Sequence, residues 1–380
     1  MNPRRINPPP IAADPASLAD ACRALREAGR FGFDTEFIRE RSYAPQVCLI
    51  QAATTGRVVL IDPLAVDPAP FWELVLDGAV EKIVHSGEQD LEMCYLHTGQ
   101  VPANVFDVQV AGGLAGTGYP LSYGNLLREV LAVEVEQISA FSEWSQRPLA
   151  DEQLRYAVED VAYLSALEAE LRDRLEGLGR VEWMAEEMSL LTCPQRYDQQ
   201  PIHVARRIRS WDRLSRRQLA ILCELIAWRE RAARGDDVPP RTLLRDAVLV
   251  ATVRAIPASV PELAAVKGFP RPLARRRGEA VLEALARGRD APRAELPEAA
   301  ARETNRPLVS WAMEAGRQIC EAARLDHSLF ASRRNYIDLV EALRTGQRDR
   351  TPLRLLTGWR APFAGERIAD LITKRLRGNG

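Results

Sequence analysis

The pattern of apolar and polar positions predicts a first part of the chain that mixes strands with helices. Over residues 31–108, short apolar runs bounded by turn residues alternate with longer segments in which apolar residues recur every three or four positions. This alternation is typical of an α/β domain with a mixed sheet flanked by helices. The predicted strands are 31–37, 47–53, 57–62, 82–85 and 104–108. The predicted helices are 15–29, 67–77, 88–98, 122–132, one from 153 to about 178, and 181–191.

Turn residues separate the first three predicted strands and favour an antiparallel meander. Residues 111–118 contain four glycines, but they lack both the Gly-Lys-Ser/Thr ending and the glycine spacing of a phosphate-binding loop. We interpret this segment as a turn before the helix at 122–132. No nucleotide cofactor is predicted.

The second part of the chain shows helical periodicity throughout. The predicted helices are 214–234, 241–255, 260–265 and 273–287, and the last 75 residues are also expected to be helical. Proline-containing segments at 192–201 and 289–306 are predicted linkers. Because 380 residues exceed the length of one ordinary domain, the pattern favours two or three domains.

Two carboxylates lie in the first predicted strand, Phe31-Gly-Phe-Asp-Thr-Glu-Phe37. Side chains alternate between the two faces of a strand, so Asp34 and Glu36 share one face. Phe33 and Phe37 lie on the other face and are expected to pack inward. Alone, the acidic pair is common on a solvated strand face.

Two later helices carry further polar groups. Asp90 lies in the first turn of the helix at 88–98, where the helix dipole alone favours a carboxylate. Tyr156 and Asp160 are four residues apart and therefore lie on one face of the helix that begins near 153. Taken alone, Tyr156 is also typical of a core aromatic residue.

Together, these three segments resemble a known family. Asp34-Thr-Glu-Phe37, His85-Ser-Gly-Glu-Gln-Asp90-Leu and Tyr156-Ala-Val-Glu-Asp160 are similar, in order and spacing, to the three exonuclease motifs of the ribonuclease D family of DEDD 3′→5′ exonucleases. Tyr156, four residues before the last Asp, indicates the tyrosine subtype; the histidine subtype has His where this chain has Arg155. The resemblance implies a ribonuclease H-like exonuclease domain.

The resemblance also implies a metal site made of four carboxylates, those of Asp34, Glu36, Asp90 and Asp160. Such groups repel one another strongly at close range unless cations neutralise them. Oxygen ligands select Mg²⁺ or Mn²⁺, and no His/Cys cluster argues for zinc. A pair of divalent ions of this kind can promote phosphodiester hydrolysis, one ion activating a water molecule and the other stabilising the leaving oxygen. Our hypothesis is that Tyr156 orients the attacking water, because a phenol is a poor base at neutral pH.

Later residues resemble the helicase-and-RNase-D C-terminal (HRDC) domain. The matching residues are Gln218, Trp228-Arg229, Pro239, Asp246 and Val266-Lys-Gly268. Leu355-Leu-Thr-Gly-Trp-Arg360 resembles an element of the second such domain in bacterial members of the family. The predicted organisation is an exonuclease domain over 1–200, a first HRDC-like domain over 201–290 and a second, divergent one over 291–380.

The net charge of −1 conceals an asymmetry. Residues 1–200 contain 16 Lys and Arg against 31 Asp and Glu, whereas residues 201–380 contain 35 against 21. A basic half attracts a polyanion such as RNA, although the two halves could simply attract each other. The candidate RNA contacts are Phe37, His85, Arg206, Arg207, Arg209, Arg213, Arg275, Arg276 and Arg277. For Phe37 and His85 a structural role is the more common alternative, and Asp107 is interpreted as structural.

The cysteine pattern and the distribution of apolar residues indicate the cellular compartment in which the protein is expected. The six cysteines are scattered without a Cys-x-x-Cys pair, which is typical of a reduced cytoplasmic protein. No apolar run reaches the roughly 18 residues of a membrane span, and residues 1–10 lack the apolar core of a secretory signal. The family usually has Lys and Asp at positions where this chain has Gln137 and Glu143, which affects expected substrate contacts but no metal ligand.

These observations predict a metal-dependent 3′→5′ exoribonuclease, expected to be a monomer. The resemblance implies that it trims precursor tRNA and other small structured RNA and releases nucleoside 5′-monophosphates. One alternative is a DNA exonuclease that uses the same site, which matched RNA and DNA substrates would distinguish because RNA alone has a 2′-hydroxyl. The other is a non-catalytic RNA-binding protein, against which the complete set of four carboxylates argues.

Overall fold

A computed structural model describes residues 8–135, 143–292, 305–346 and 353–378. Gln137, most of the predicted second linker and the first seven residues lie outside these ranges. The described residues divide into two units. Unit 1 combines the residues before 39, those from 47 to 194 and those after 304; unit 2 combines 39–46 with 195–292.

Unit 1 begins with six strands and eight helices. The strands are β1 (Ile11–Ala12), β2 (Arg30–Ile38), β3 (Gln46–Ala53), β4 (Val58–Ile61), β5 (Glu81–Val84) and β6 (Val105–Asp107). The helices are α1 (Pro15–Glu27), α2 (Ala69–Leu76), α3 (Glu88–Thr98), α4 (Val108–Ala115), α5 (Tyr123–Leu131), α6 (Asp151–Ala162), α7 (Leu164–Gly177) and α8 (Val181–Leu191).

The described remainder of the chain is helical. Unit 2 contains α9 (Pro201–Arg207), α10 (Arg216–Asp236), α11 (Pro240–Leu243), α12 (Asp246–Ala255), α13 (Val260–Ala265) and α14 (Arg271–Asp290). The C-terminal part of unit 1 contains α15 (Arg306–Ala322), α16 (His327–Phe330), α17 (Arg333–Thr345) and α18 (Glu366–Leu376). None of the described helices combines the length and apolar composition needed to cross a membrane.

The strands form one mixed sheet in the order β1-β4-β3-β2-β5-β6. β3 pairs antiparallel with β4, whereas β5 pairs parallel with both β2 and β6. The predicted α/β class and the five predicted strands are therefore confirmed. β2 lies in the interior of the sheet, between β3 and β5, so the strand that carries Asp34 and Glu36 is supported on both sides.

The two faces of β2 have different environments. On one face, Phe31 and Phe33 are completely buried and pack against Phe71 of α2, with ring centroids about 6 Å apart in each pair. On the other face, Gly32 lies so close to α7 that a Cβ atom there would be 2.6 Å from Cβ of Leu164. This close approach brings α6 and α7 onto the face that Asp34 and Glu36 share. Phe37, which was expected to pack inward, is only half-buried.

The prediction of one continuous helix from 153 to about 178 is wrong. The structure ends α6 at Ala162 and starts α7 at Leu164, with Tyr163 between them at φ −110° and ψ 0°. The backbone N–H of Tyr163 donates to the hydroxyl of Tyr123, 3.3 Å away. The apolar periodicity of the sequence continues through this break, so the local pattern does not predict it. The hydrogen bond from Tyr163 to Tyr123, a residue of α5, is found where α6 ends.

The glycine-rich segment 111–118 is also not the predicted turn, because its first part belongs to α4. Gly112 and Gly113 lie in this helix, where a Cβ on the first would be 2.8 Å from Leu126 and a Cβ on the second would overlap the side chain of Leu329. These two glycines allow close helix packing. The chain turns only at Gly116, whose φ of +90° ends the helix.

Unit 2 has its own apolar core, formed mainly by α10, α12 and α14. The single helix predicted over 241–255 is divided into α11 and α12 by an extended residue, Leu244. The buried guanidinium of Arg229 donates to the carbonyl of Leu244 at 3.0 Å and to the carboxylate of Asp246 at 2.7 Å. This long-range contact accounts for a break that periodicity does not reveal.

The C-terminal helices of unit 1 are joined to α8 by buried polar contacts. The carboxylate of Glu187 accepts hydrogen bonds from the indole N–H of Trp359 at 2.8 Å and from Arg360 at 2.7 Å. Arg360, only 1% exposed, also donates to the carbonyls of Leu329 and Phe330. Trp359 stacks on Trp183 of α8 with ring centroids 4.5 Å apart. These residues make the C-terminal helices part of the same folding unit as the sheet.

We predict that Glu187→Ala lowers the free energy of unfolding by up to about 3–5 kcal/mol, because it removes the carboxylate nearest to the buried Arg360 cation and leaves the more distant Glu186, 3.9 Å away. Urea denaturation followed by circular dichroism measures this change. Glu182→Ala is the matched control, since Glu182 is exposed on the same helix. Equal stability of the two variants would contradict the assignment of this ion pair as a link within unit 1.

Candidate active site

Three carboxylates converge where α6 covers β2. Asp34 and Glu36 come from alternate positions of β2, and Asp160 comes from the last turn of α6. One oxygen atom from each of the three side chains lies within 4.8 Å of the others. The strand alternation and helix periodicity therefore bring these predicted residues together.

Asp90 borders this group from the first turn of α3, which follows β5, the parallel neighbour of β2. Its carboxylate is buried and accepts a hydrogen bond of 2.5 Å from the hydroxyl of Thr35. Asp90 is not one of the three carboxylates within 4.8 Å, yet its charge raises the pKa of Glu36 and of Asp160. Its carboxylate therefore belongs to the same electrostatic cluster.

Burial and mutual repulsion together make these groups hard to ionise. Burial is the main cause that raises the pKa of Asp34 to about 8, and the neighbouring Asp160 adds to it. Burial, followed by Asp34, Asp160 and Asp90, raises the pKa of Glu36 to about 9. Burial raises the pKa of Asp160 to about 7, and burial and Asp34 raise the pKa of Asp90 well above its usual value. Full ionisation at neutral pH thus requires nearby positive charge.

The donor set fits a hard divalent cation. All of the converging ligands are carboxylate oxygens, which Mg²⁺ and Mn²⁺ prefer, and no comparable cluster containing His or Cys occurs among the described residues. Bound cations would also supply the positive charge that the raised pKa values call for.

Tyr156 lies one helical turn before Asp160 and contacts the same cluster. Its hydroxyl donates a hydrogen bond to the Asp160 carboxylate, and its ring lies 6.1 Å from that of Trp144. Burial and the surrounding carboxylates raise the pKa of this phenol, so it stays protonated. It is therefore a hydrogen-bonding group at neutral pH and not a base.

Sequence reasoning missed three polar residues beside the carboxylates. Thr35 binds Asp90, as described above, and the side-chain amide of Gln51 in β3 donates to Asp34 Oδ2 at 2.6 Å. The buried Tyr123 hydroxyl has a raised pKa, caused first by burial and then by Asp160. A sequence signal existed for Gln51, because it is the only polar residue inside the apolar run 47–53.

Of the two candidate substrate contacts in unit 1, His85 has structural partners. The Nε2 atom of His85 lies 3.0 Å from the carbonyl of Leu121, and its ring meets Tyr123 edge-on at 5.5 Å. Phe37 is half-buried at the end of β2. The interpretation of Asp107 as structural is confirmed, since its carboxylate accepts from the backbone N–H groups of Ser86 and Gly87 and caps α4.

The seven candidate arginines of unit 2 differ in their contacts. Arg207 donates to the carbonyls of Arg196 and Asp198, Arg277 pairs with Asp236 at 2.6 Å, and Arg206 lies over the ring of Trp211. The remaining four are exposed and form no ion pair with another described residue: Arg209, Arg213, Arg275 and Arg276. Those four are accessible to a phosphate.

The loop before α6 is anchored to the sheet by Arg147. Its guanidinium donates to both carboxylate oxygens of Asp62, at 2.6 and 2.7 Å, and to the carbonyl of Cys48 at 2.6 Å. Glu143, at the start of the described part of this loop, is exposed, whereas Gln137 lies outside the described residues.

The fold and the acidic site define a class of nuclease. Residues 10–176 match the family model described as 3′-5′ exonuclease, and residues 218–285 match the HRDC domain. The mixed sheet and the order of the acidic motifs are thus those of a 3′→5′ exonuclease, which is followed by a helical HRDC domain.

Comparison with individual proteins narrows this class: the chain belongs to the ribonuclease D family and is a 3′→5′ exoribonuclease. It is 34% identical to ribonuclease D of Granulibacter bethesdensis over 95% of this chain and 92% of the relative. It is 32% identical to ribonuclease D of Pseudomonas paraeruginosa over 94% of this chain and 96% of that protein. The resemblance seen in the sequence motifs is therefore confirmed.

A solved structure supports the same assignment along the whole chain. The crystal structure of Escherichia coli RNase D, described as an exoribonuclease involved in structured RNA processing, has a TM-score of 0.80 with 27% identity. The match covers 96% of this chain and 98% of that one. DEDD exonucleases generally depend on divalent metal ions, and the acidic cluster of this chain offers the corresponding ligands.

We predict that the metal-free protein loses stability as the pH rises from 5 to 9. A carboxyl group with a raised folded-state pKa binds its proton more tightly in the folded state, so the unfolding free energy falls as pH rises from the unfolded pKa to the folded one. Thermal unfolding in EDTA should show an unfolding free energy that falls by several kcal/mol over this pH range.

Asp34→Asn should flatten this pH dependence, because it removes one of the repelling groups, whereas the exposed control Glu152→Gln should not. Mg²⁺ should raise the melting temperature of the wild type more at pH 8 than at pH 5. Parallel curves for the wild type and Asp34→Asn would contradict the electrostatic description of the site.

Proposed function

We propose that this exoribonuclease trims the 3′ ends of precursor tRNA and other small structured RNA and releases nucleoside 5′-monophosphates. The observation that carries the proposal is the convergence of Asp34, Glu36 and Asp160 within 4.8 Å, with Asp90 beside them. The substrate class is supported by similarity to Escherichia coli RNase D, which processes structured RNA. A 3′→5′ direction on such substrates means trimming of their 3′ extensions.

We assign the four carboxylates as ligands of two divalent ions, Mg²⁺ or Mn²⁺. When bound, such ions supply Lewis-acid chemistry that lowers the pKa of a water and offsets negative charge on a leaving oxygen. The contribution of the chain is to fix the ligand oxygens. β2 fixes two of them within a sheet, α6 fixes Asp160, and the Thr35 hydroxyl orients Asp90.

The proposed role of Tyr156 is to orient the attacking water. The hydroxyl stays protonated and lies beside Asp160, so it can donate to one oxygen while accepting from another. A rigidly oriented water needs less reorganisation to reach the phosphorus atom. The proton lost by the water then passes to solvent or to a neighbouring carboxylate, and the phenol is unchanged by the reaction.

The proposal extends to RNA binding by unit 2. The exposed Arg209, Arg213, Arg275 and Arg276 supply positive charge for backbone phosphates. The proposal also includes candidate contacts that already have the structural environments described above: Arg206, Arg207 and Arg277 of unit 2, and Phe37 and His85 of unit 1.

We also propose the domain limits 1–200, 201–290 and 291–380. The last of these segments is proposed to be a divergent HRDC-like domain that packs on α8.

We also propose that the protein acts in the cytoplasm as a monomer. The absence of disulfides among its six cysteines supports a reducing compartment. Precursor tRNA is a cytoplasmic substrate in bacteria, which is the group to which the compared relatives belong.

We predict that Asp34→Asn and Asp160→Asn each lower kcat/KM by about 10²–10⁴-fold, because each removes a metal ligand worth several kcal/mol in the transition state. Hydrolysis of a 3′-extended tRNA in Mg²⁺, with product analysis, measures the change. Circular dichroism should show that both variants remain folded.

Glu152→Gln is the matched control for the Asp160 variant, because Glu152 is exposed on the same helix and pairs with Arg155. It should keep wild-type activity. A matched DNA oligonucleotide, run in parallel, tests the preference for RNA. Activity of either Asn variant near that of Glu152→Gln would refute the ligand assignment.

Tyr156→Phe should lower kcat by about 10–100-fold while changing KM for RNA less than about threefold, because it removes one hydrogen bond and keeps the ring. Steady-state kinetics at saturating Mg²⁺ measures both constants. A loss confined to KM would instead assign Tyr156 to RNA binding.

A further inference from the structure

Gln51 is a polar residue in a place where an apolar one would be expected. It lies in β3, which has β2 on one side and β4 on the other, and it is 0% exposed. Its strand neighbours Leu49 and Ile50 are also fully buried. Burying an amide costs free energy unless its groups are hydrogen-bonded, so stability alone favours a residue such as Met or Leu at this position.

Only half of the Gln51 amide has a partner among the described residues. The Nε2 atom donates to Asp34 Oδ2 at 2.6 Å. The Oε1 atom is buried, with no hydrogen-bond partner in the described part of the chain. A buried, unsatisfied carbonyl is destabilising. The contact with Asp34 therefore explains the presence of the amide better than packing does.

An amide suits the task of orienting a metal ligand. Because it is neutral, it binds one carboxylate oxygen without supplying a positive charge that would compete with a cation for Asp34. An Arg or Lys at the same distance would neutralise the carboxylate and weaken its affinity for a metal ion. The hydrogen bond from Gln51 also restricts rotation of the Asp34 side chain. It uses Oδ2 and does not involve the other carboxylate oxygen, Oδ1.

We infer that Gln51 is a positioning residue of the metal site: its amide fixes one oxygen of Asp34 so that the carboxylate is held in the orientation that binds a divalent cation. This inference rests on the proposed function, in which Asp34 is a metal ligand. Gln51 touches neither the RNA nor the reacting water in this assignment and acts through Asp34 alone.

The inference predicts weaker metal binding when the amide is removed. Gln51→Met keeps the size of the side chain but cannot donate to Asp34. In the absence of RNA, its affinity for Mn²⁺, measured from the electron paramagnetic resonance signal of the free ion, should fall about 10–100-fold, as for other residues that orient metal ligands. The Mn²⁺ concentration for half-maximal RNA hydrolysis should rise by a similar factor, with KM for RNA unchanged.

Ile50→Val is the matched control, because it perturbs the packing of the same strand without altering a hydrogen bond to the site. It should bind Mn²⁺ as the wild type does. Excess Mn²⁺ should restore the kcat of Gln51→Met but not that of Asp34→Asn. Unchanged Mn²⁺ affinity in Gln51→Met would overturn the inference, and retained Mn²⁺ binding and activity in Asp34→Asn would overturn the proposed function itself.

A measurement on the wild type avoids any dependence on the folding of the variants. In a crystal structure of the protein with Mn²⁺, Gln51 Nε2 should remain within hydrogen-bond distance of Asp34 Oδ2 while Asp34 coordinates the ion. Rotation of Asp34 away from Gln51 on metal binding would overturn the inference.

Discussion

The repulsion between carboxylates on one face of β2 is the constraint on which the rest of the site depends. Asp34 and Glu36 are placed together by strand alternation, Asp160 approaches from α6 and Asp90 from α3. Their pKa values are raised first by burial and then by this mutual repulsion, and the size of the rise reflects the free energy that ionising the buried groups would cost. An arrangement of this kind is stable with its full charge only when cations occupy it, which links folding, metal binding and hydrolysis in one feature.

The surrounding fold supplies the free energy that keeps these groups in place. Phe31 and Phe33 fix one face of β2 in the core, while Gly32 allows α7 to approach the other face. The helical segment is interrupted at Tyr163, and Asp160 lies in the last turn of α6 before this interruption. The contacts of Glu187 with Trp359 and Arg360 extend the same unit to the C-terminal helices.

The sequence predicted the features that depend on local periodicity. Alternation placed Asp34 and Glu36 on one face, and the spacing of four residues placed Tyr156 beside Asp160; the structure brings all four together. The features that were missed depend on distant partners. The break at Tyr163 and the division between α11 and α12 involve contacts from Tyr123 and Arg229. The packing of Gly112 and Gly113 requires neighbours that the local pattern does not contain.

The most direct test of the account is the product of RNA cleavage with and without divalent metal. A 3′-extended tRNA incubated with the protein and Mg²⁺ should lose nucleoside 5′-monophosphates one at a time from its 3′ end, stop doing so in EDTA and resume when Mg²⁺ is restored in excess. Cleavage that continues in EDTA, or that yields fragments ending in a 2′,3′-cyclic phosphate, would contradict hydrolysis at a cation site built from these carboxylates.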